Sequence, residues 1–319
     1  MPGCKDTCGN NVTIPYPFGI GAKCSVNEWY TVDCNSSKPY LSALHLEVFG
    51  IDLENQIVTV NMQKLSNCSQ VINSVDLGRS PFLYSTSHNK LVYEGYCGSA
   101  FMMDNHGSVL TGCSTTCNND TTTNTIVIID TNRCYGTNCC QTTIPRYLKS
   151  YRMNLTGLES QLGGDGDCGS AFLVAQDLFD QDLYDEDNFS RQSSAGEGSK
   201  SYVSTALLWT FSDRDKDKLT CCDGYSPYNR KVDLGNGTIM DTWKCELRSL
   251  GNPYLADGCE DDDPVVTEEC ASCQNKGGYC RYYTIYYIDG KSHNNLICDG
   301  ANESKTSFGV ILGYTNCIF

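Results

Sequence analysis

Apolar and polar residues alternate through much of the first half of the chain. Leu44, Leu46 and Val48 would lie on one side of a strand, with the polar residues between them on the other. A second apolar stretch, 57–60, follows a polar turn at 54–56. Two alternating runs around a polar turn are typical of a β-hairpin.

Other short apolar runs are separated by clusters of Asn, Ser, Thr, Gly or Asp. They predict strands at 82–84, 91–93, 125–129 and 202–211. The best helical candidate is Ala171–Tyr184, where large apolar residues recur every three or four positions. The pattern as a whole predicts a β-rich protein with short antiparallel strands and few short helices.

Cysteine changes the picture most, because the 319 residues include 21 of them. Such a density indicates an oxidising compartment, where each disulfide adds about 2–4 kcal/mol of stability. Zinc ligation is the alternative, but four histidines and no repeated CxxC spacing argue against it. We therefore predict disulfide-stapled extracellular modules with about ten intrachain bridges, and the odd total leaves at least one sulfur without an intrachain partner.

Glycosylation sequons support a secretory route. The N-x-S/T pattern occurs at Asn11, Asn35, Asn67, Asn119, Asn154, Asn188, Asn236 and Asn302. The chain starts without an apolar stretch, so we expect that a leader has been removed. No run approaches the ~18 apolar residues of a membrane helix, and we expect no membrane contact by this segment itself.

Charge is unevenly distributed, with a net −2 over residues 1–160 and −13 over 161–319. The chain has no basic surplus, which excludes nucleic acid as an expected partner. The densest basic segment is 146–152, where Arg146, Tyr147, Lys149, Tyr151 and Arg152 interleave cations with aromatics. In an extended chain the two arginines would share one face, and Tyr147, Lys149 and Tyr151 the other. Guanidinium groups bind carboxylates, so these five residues are the predicted binding site for an anionic sugar, unless they form a half-buried strand.

Catalytic and metal-binding patterns are absent from the sequence. Cys168-Gly-Ser faintly resembles a cysteine-protease nucleophile segment, but a half-cystine explains it better because His293 is the only downstream histidine. Asp213-x-Asp215-x-Asp217 begins like a calcium loop, yet Lys218 stands where the turn needs glycine. We predict no enzyme, no catalytic residue, no bound metal and no cofactor.

Several motifs are similar to the ectodomains of plant wall-associated receptor kinases. The opening Cys4-x3-Cys8-Gly9-Asn10, followed by Ile14-Pro-Tyr-Pro-Phe-Gly-Ile20, resembles the start of that family's galacturonan-binding domain. The vicinal-cysteine segment 134–145 and the Gly251-Asn-Pro-Tyr-Leu-x2-Gly-Cys259 string also resemble family segments. The prolines lock extended backbone, and the aromatics between them can clamp this segment onto a sheet.

Two departures concern the cysteine-rich tail. Where the family has C-x-C before its Gly-Asn-Pro-Tyr string, Cys245 is followed by Glu246 and Leu247, so Cys245 is the predicted unpaired cysteine. The family's calcium-binding D-I-D-E-C is replaced by 261–270, which argues against calcium. Half-cystines are predicted, with pairing left open, at Cys4, Cys8, Cys24, Cys34, Cys113, Cys117, Cys134, Cys139, Cys140, Cys168, Cys259, Cys270, Cys273 and Cys280.

The resemblance implies three regions: a galacturonan-binding-like domain at 1–152, a second β-rich subdomain at 153–218, and a degenerate EGF-like, cysteine-rich region at 219–319. It implies an extracellular region, in the apoplast or cell wall, that binds pectin, chiefly galacturonan, or another ligand derived from the wall or a pathogen. The parent would be membrane-anchored and carry a kinase. A secreted structural glycoprotein and a protein-binding co-receptor surface remain as alternatives.

Overall fold

The computed structural model describes residues 3–9, 12–67, 70–95, 97–116, 134, 136, 139–157, 169–176, 202–222, 226–235, 237–246, 251–259, 268–287 and 292–299. Its strands are β1 (Thr7–Cys8), β2 (Val12–Thr13), β3 (Gly19–Ile20), β4 (Thr31–Asn35), β5 (Lys38–Leu41), β6 (Leu46–Asp52), β7 (Ile57–Gln63), β8 (Ile72–Asn73), β9 (Phe82–Tyr84), β10 (Asn89–Glu94), β11 (Gly98–Met103), β12 (Val109–Ser114), β13 (Cys139–Thr143), β14 (Arg152–Gly157), β15 (Ser170–Ala175), β16 (Tyr202–Trp209), β17 (Tyr228–Asp233), β18 (Ile239–Lys244), β19 (Tyr279–Tyr287) and β20 (Ser292–Asp299). Among the described residues, the named helical elements are a 3₁₀ turn at Glu28–Tyr30, α1 (Asp213–Lys216) and α2 (Glu268–Asn275). None of the helices described could cross a membrane. The β-rich, disulfide-bonded fold class predicted from the sequence is confirmed.

The largest sheet has the strand order β3-β4-β5-β6-β7-β16-β9, and β19 and β20 join it through β6. Its centre is the predicted hairpin, now β6 and β7, in which Val48 pairs with Val60 and both side chains are buried. Asp52 closes the turn by accepting a hydrogen bond from the backbone N–H of Asn55 at 2.9 Å. The strands predicted at 82–84, 91–93 and 202–211 are confirmed as β9, β10 and β16, whereas 125–129 lies outside the described residues.

Two smaller sheets pack beside it, with the orders β13-β10-β15 and β12-β11-β14-β8, and β1-β2 and β17-β18 form separate pairs. The helix predicted at Ala171–Tyr184 is wrong over residues 171–175, which belong to β15 (Ser170–Ala175); residue 176 is helical, and 177–184 lie outside the described residues. Ala171 and Leu173 belong to the main core, while Phe172 and Val174 join a second apolar cluster on the opposite face. A strand buried on both faces lacks alternation, so its apolar run can be mistaken for a helix.

Strand pairing crosses the boundary predicted at residue 152. Within the predicted subdomain 153–218, β15 pairs with β10 and β16 pairs with β7 and β9. The strand that spans the boundary, β14, pairs with β11 and β8. The described residues of 153–218 therefore share their sheets with residues 1–152. The tail contributes as well, since Leu219 and Tyr254 lie in the main core and β19 pairs with β6.

An aromatic cluster holds these regions together. Trp209 is fully buried and contacts Phe18 and Tyr254 edge-on, with ring centroids 5.7 and 5.3 Å apart. The hydroxyl of Tyr30 donates to the carbonyl oxygen of Thr210 at 2.6 Å, which satisfies the polar end of a buried ring. Rings from the beginning, middle and end of the chain thus share one core.

Candidate ligand-binding surface

The predicted basic segment, 146–152, is not an extended strand, so that expectation is wrong. Residues 144–151 have irregular backbone apart from an isolated bridge between Leu148 and Tyr84, and β14 begins only at Arg152. Arg146 forms an ion pair with Asp104 in the β11–β12 turn, at 3.3 Å between Nη2 and Oδ2. Hydrogen bonds from the backbone of Ser108 and His106, together with the Arg146 charge, lower the pKa of Asp104.

Lys149 is directed into the protein. Its ammonium donates to the backbone carbonyls of Ser80 and Phe82, the latter at 2.7 Å. Burial lowers the pKa of Lys149 to about 8. Because the Lys149 ammonium donates to two backbone carbonyls, it anchors the loop before β9 and is poorly placed to bind a ligand.

The two tyrosines of the segment are also used internally. Tyr151 is buried, its ring packs edge-on against Tyr84 with centroids 5.0 Å apart, and burial raises its pKa well above the ordinary value. Tyr147 is partly buried against the apolar cluster that contains Ile57 and Leu208. The structure therefore does not bring the five predicted residues to one exposed face; the segment is half-buried, as in the alternative, but it is not a strand.

Two lysines elsewhere in the first half of the chain also form ion pairs. Lys38 pairs with Glu47, and Lys64 pairs with Glu94, both at 2.7 Å. Lys64 also lies over the ring of Phe172, 4.2 Å from its centroid. These contacts engage both lysines within the protein.

Lys5 and Lys23 differ from those cations. Both are exposed, and no ion pair involving either occurs among the described residues. Lys5 follows Cys4 and Lys23 precedes Cys24, and a disulfide joins the two cysteines with their Cα atoms 5.6 Å apart. Given 3.8 Å between consecutive Cα atoms, the Cα atoms of the two lysines lie within about 13 Å of each other. We name this pair the lysine site.

The segment behind the lysine site is firmly held. Ile14, Tyr16 and Phe18 are buried, so the aromatics of the Pro-rich string do clamp it onto the core. A second disulfide joins Cys8 to Cys34 on β4. Preorganisation of this kind lowers the entropy cost of presenting two charges to a ligand.

The disulfides revise one prediction about the tail. Cys245 is fully buried and bonded to Cys221, with Cα atoms 5.5 Å apart, so the prediction that Cys245 is unpaired is wrong. Further bonds between described residues are Cys113–Cys140, Cys134–Cys139, Cys222–Cys259, Cys270–Cys280 and Cys273–Cys298. Cys97 is also disulfide-bonded, and the predicted half-cystines Cys117 and Cys168 lie outside the described residues.

Three of the predicted glycosylation sites fall among the described residues. Asn35 is exposed at the end of β4, and Asn67 and Asn154 are partly exposed, the latter within β14. The remaining predicted sites, Asn11, Asn119, Asn188, Asn236 and Asn302, lie outside the described residues.

The aspartates that resemble a calcium loop fold into α1. Asp215 accepts from the Ser212 hydroxyl at 2.7 Å, and Asp213 accepts from the indole N–H of Trp243 at 2.8 Å. Across the described ranges, no group of three or more His, Cys, Asp or Glu side chains is arranged to hold a metal ion.

Sequence reasoning missed a buried polar network at the β6–β7 turn. Lys244 of β18 lies 3.5 Å from Glu54, and burial lowers the pKa of Lys244. Gln56 is fully buried and donates to the carbonyl of Trp243 at 3.1 Å. Arg230 donates to the backbone oxygen of Asn55 at 3.4 Å. The residues that this network joins are about 175–190 positions apart in sequence. Periodicity and local motifs do not reveal contacts over such a separation.

The described residues form a β-rich, disulfide-bonded region of the kind found in extracellular proteins. A sequon lies on an exposed strand end, and an N-terminal loop presents two lysines. Residues 4–62 match the family model described as wall-associated receptor kinase galacturonan-binding. That range contains β1 to β6, most of β7 and the lysine site.

The similarity extends along most of the chain. The Arabidopsis thaliana wall-associated receptor kinase-like 5 is 29% identical over 320 residues, covering 86% of this chain and 41% of the relative. Wall-associated receptor kinase-like 6 of the same plant is 28% identical, with 87% and 46% covered. Wall-associated receptor kinase 1 is 25% identical, with 91% and 40% covered. No solved structure matches the chain.

The resemblance to wall-associated receptor kinase ectodomains is therefore confirmed, with the galacturonan-binding domain at its N-terminus. The chain spans about two fifths of the length of the curated relatives it matches.

Proposed function

We propose that this chain is the extracellular, wall-facing part of a receptor and that its N-terminal domain binds de-esterified galacturonan, the acidic chain of pectin. The match of residues 4–62 to the galacturonan-binding family model carries the proposal. The parent protein, in this proposal, is membrane-anchored and carries a kinase, as the names of its relatives indicate.

The lysine site supports an acidic ligand. De-esterified galacturonan is a regular polyanion of carboxylates, and ammonium groups on a fixed loop attract such a polymer through both direct contact and long-range potential. The chain as a whole carries a net charge of −15, so a local positive site is needed to overcome general repulsion. Lys5 and Lys23 are exposed within the matched segment, and Asp6 is the exposed acidic residue next to them.

The role we propose is recognition without catalysis and without a cofactor. Binding requires only that the domain hold its two exposed lysines in place, and the two N-terminal disulfides restrain the loop that carries them. Occupancy would then be passed along the shared core to the tail, because β19 pairs directly with β6 of the matched segment.

Titration calorimetry of the secreted chain against oligogalacturonides tests the proposal. We expect binding to the de-esterified oligomer, little binding to the fully methyl-esterified oligomer of equal length, and an affinity that falls as salt is raised from 50 to 200 mM, since exposed charge pairs are screened. Equal affinity for both oligomers, or none for either, would contradict it.

The two alternative functions give different results in the same assay. A structural glycoprotein would bind neither oligomer and would self-associate at rising concentration. A co-receptor surface would bind neither oligomer and would stay monomeric. Repeating the titration of the de-esterified oligomer with a calcium chelator distinguishes two modes of binding. Direct binding by lysines persists in the chelator, whereas binding through calcium bridges is lost.

A further inference from the structure

The outer face of the four-stranded sheet carries an unusual exposed aromatic residue. On β11, Ala100 and Met102 are fully buried on the inner face, whereas Phe101 between them is 39% exposed. Its ring lies near the middle of the sheet, and Val109 on β12 is 61% exposed on the same sheet. A group that covered this ring would remove its exposed apolar surface from water, which is favourable.

A glycosylation sequon is the direct neighbour of this ring. Phe101 pairs with Asn154 of β14, the first residue of Asn154-Leu155-Thr156. Met153 and Leu155 are buried on the inner face, so Asn154 lies on the outer face beside Phe101. Side chains that face each other across two antiparallel strands have Cβ atoms about 4.5–5.5 Å apart.

On β12, the neighbouring strand on the other side, the residue paired with Phe101 is a glycine and has no side chain. Gly112 of β12 pairs with Phe101, and a Cβ added at Gly112 would lie 2.6 Å from Cδ1 of the ring. The ring therefore lies over the Gly112 backbone. One face of the ring is packed on the sheet, and the opposite face is available for another flat partner.

We propose that Asn154 carries an N-glycan whose first N-acetylglucosamine packs on the exposed face of Phe101. The sugar ring has an apolar face of C–H groups, which gains by leaving water and by contact with an aromatic ring. Because the sugar is covalently attached one strand away, its effective concentration at the ring is high and a weak contact is enough.

The glycan would also close this face to other ligands. Arg152 lies two residues before Asn154 on the same face of β14 and would be covered together with Phe101. This consequence is separate from galacturonan binding at the lysine site, and either can fail without the other.

A double-mutant cycle tests the proposal on protein secreted from plant or insect cells. Peptide mapping should find Asn154 occupied, and Asn154→Gln should lower the melting temperature by about 3 °C, the shift expected for one aromatic contact. In a Phe101→Ala background the same substitution should change it by less than about 1 °C. Asn35→Gln, at an exposed sequon opposite Lys38, is the control and should have no such effect.

Enzymatic trimming assigns the contact to the first sugar without changing the sequence. Protein made with high-mannose glycans is trimmed to single N-acetylglucosamines, and the difference between wild type and Asn154→Gln should persist. If the Asn154→Gln variant is not secreted, complete removal of glycans from the folded wild type replaces it. The melting temperature should fall by the same amount. An unoccupied Asn154, a drop that is independent of Phe101, or a drop that disappears on trimming would each overturn the proposal.

Discussion

The two cationic regions of this protein make opposite use of their charge. The segment 146–152 holds three cations within seven residues, yet Arg146 pairs with Asp104 and Lys149 donates to two backbone carbonyls. The lysine site has two cations separated by 17 residues in sequence, but a disulfide brings them together and both are exposed. Charge density along the sequence is therefore a poor guide to charge that a ligand can reach.

Physical context explains the difference. A lysine in a segment that packs against other strands can donate hydrogen bonds to their backbone carbonyls. The aliphatic part of its side chain is then buried. A lysine on a loop tethered by a disulfide has no strand above it, so its ammonium stays in water. We therefore expect changes in the first region to alter stability and changes in the second to alter binding.

The largest effect should come from the disulfide that forms the lysine site. Cys4→Ser with Cys24→Ser should lower the free energy of unfolding by about 3 kcal/mol, because a loop of this length regains its freedom in the unfolded chain. Binding of de-esterified oligogalacturonide should weaken as well, since the two lysines lose their fixed spacing. Denaturant titration and calorimetry measure the two effects.

The Cys113–Cys140 bond is a matched control, because its sequence separation of 27 is close to the 20 of Cys4–Cys24. Replacing both of its cysteines by serine should cost a similar stability and leave the affinity of the folded fraction unchanged. Equal loss of affinity in both double variants would contradict the distinction between the two regions.

Lys149→Met should have the next largest effect. It keeps the length of the side chain but leaves the carbonyls of Ser80 and Phe82 without their donor, which should cost about 2 kcal/mol of stability. Oligogalacturonide affinity should not change. Lys276→Met, at an exposed position in the tail, should change stability by less than about 0.5 kcal/mol; a similar cost at both positions would show that Lys149 is not an anchor.

Local sequence patterns predicted the elements that depend on local physics. The β6–β7 hairpin follows from alternation around a polar turn, and the clamped Pro-aromatic string follows from its fixed backbone and apolar rings. The failures depend on residues far away in sequence. β15 looks helical because both of its faces are covered, and Cys245 looks unpaired because its partner cannot be read from spacing.

The candidate binding site also depends on residues that are far apart in sequence. The proximity of Lys23 to Lys5 depends on the Cys4–Cys24 connectivity, which 21 cysteines leave open. The basic segment is the predicted site because it holds three cations within seven residues, but Ser80, Phe82 and Asp104, which engage two of them, lie some 40 to 70 residues away.

The smallest expected effect is a pH dependence of stability. Burial lowers the pKa of Lys149 to about 8 in the folded chain, from 10.5. Between these values the unfolded chain binds more protons, so this group makes stability rise with pH. Wild type should gain stability relative to Lys149→Met between pH 7 and pH 9, by less than about 1 kcal/mol because the ammonium keeps some contact with water. A relative loss over that range, measured by denaturant titration, would contradict the assignment.

The most direct test of the account is the affinity of de-esterified oligogalacturonide for two charge-neutralised double variants. Lys5→Gln with Lys23→Gln should weaken binding about tenfold and flatten its salt dependence, as expected for the loss of two exposed charge contacts. Lys231→Gln with Lys276→Gln removes the same charge from exposed positions in the tail and should change affinity less than twofold. Equal affinities for the two variants would contradict the claim that the lysine site binds the ligand.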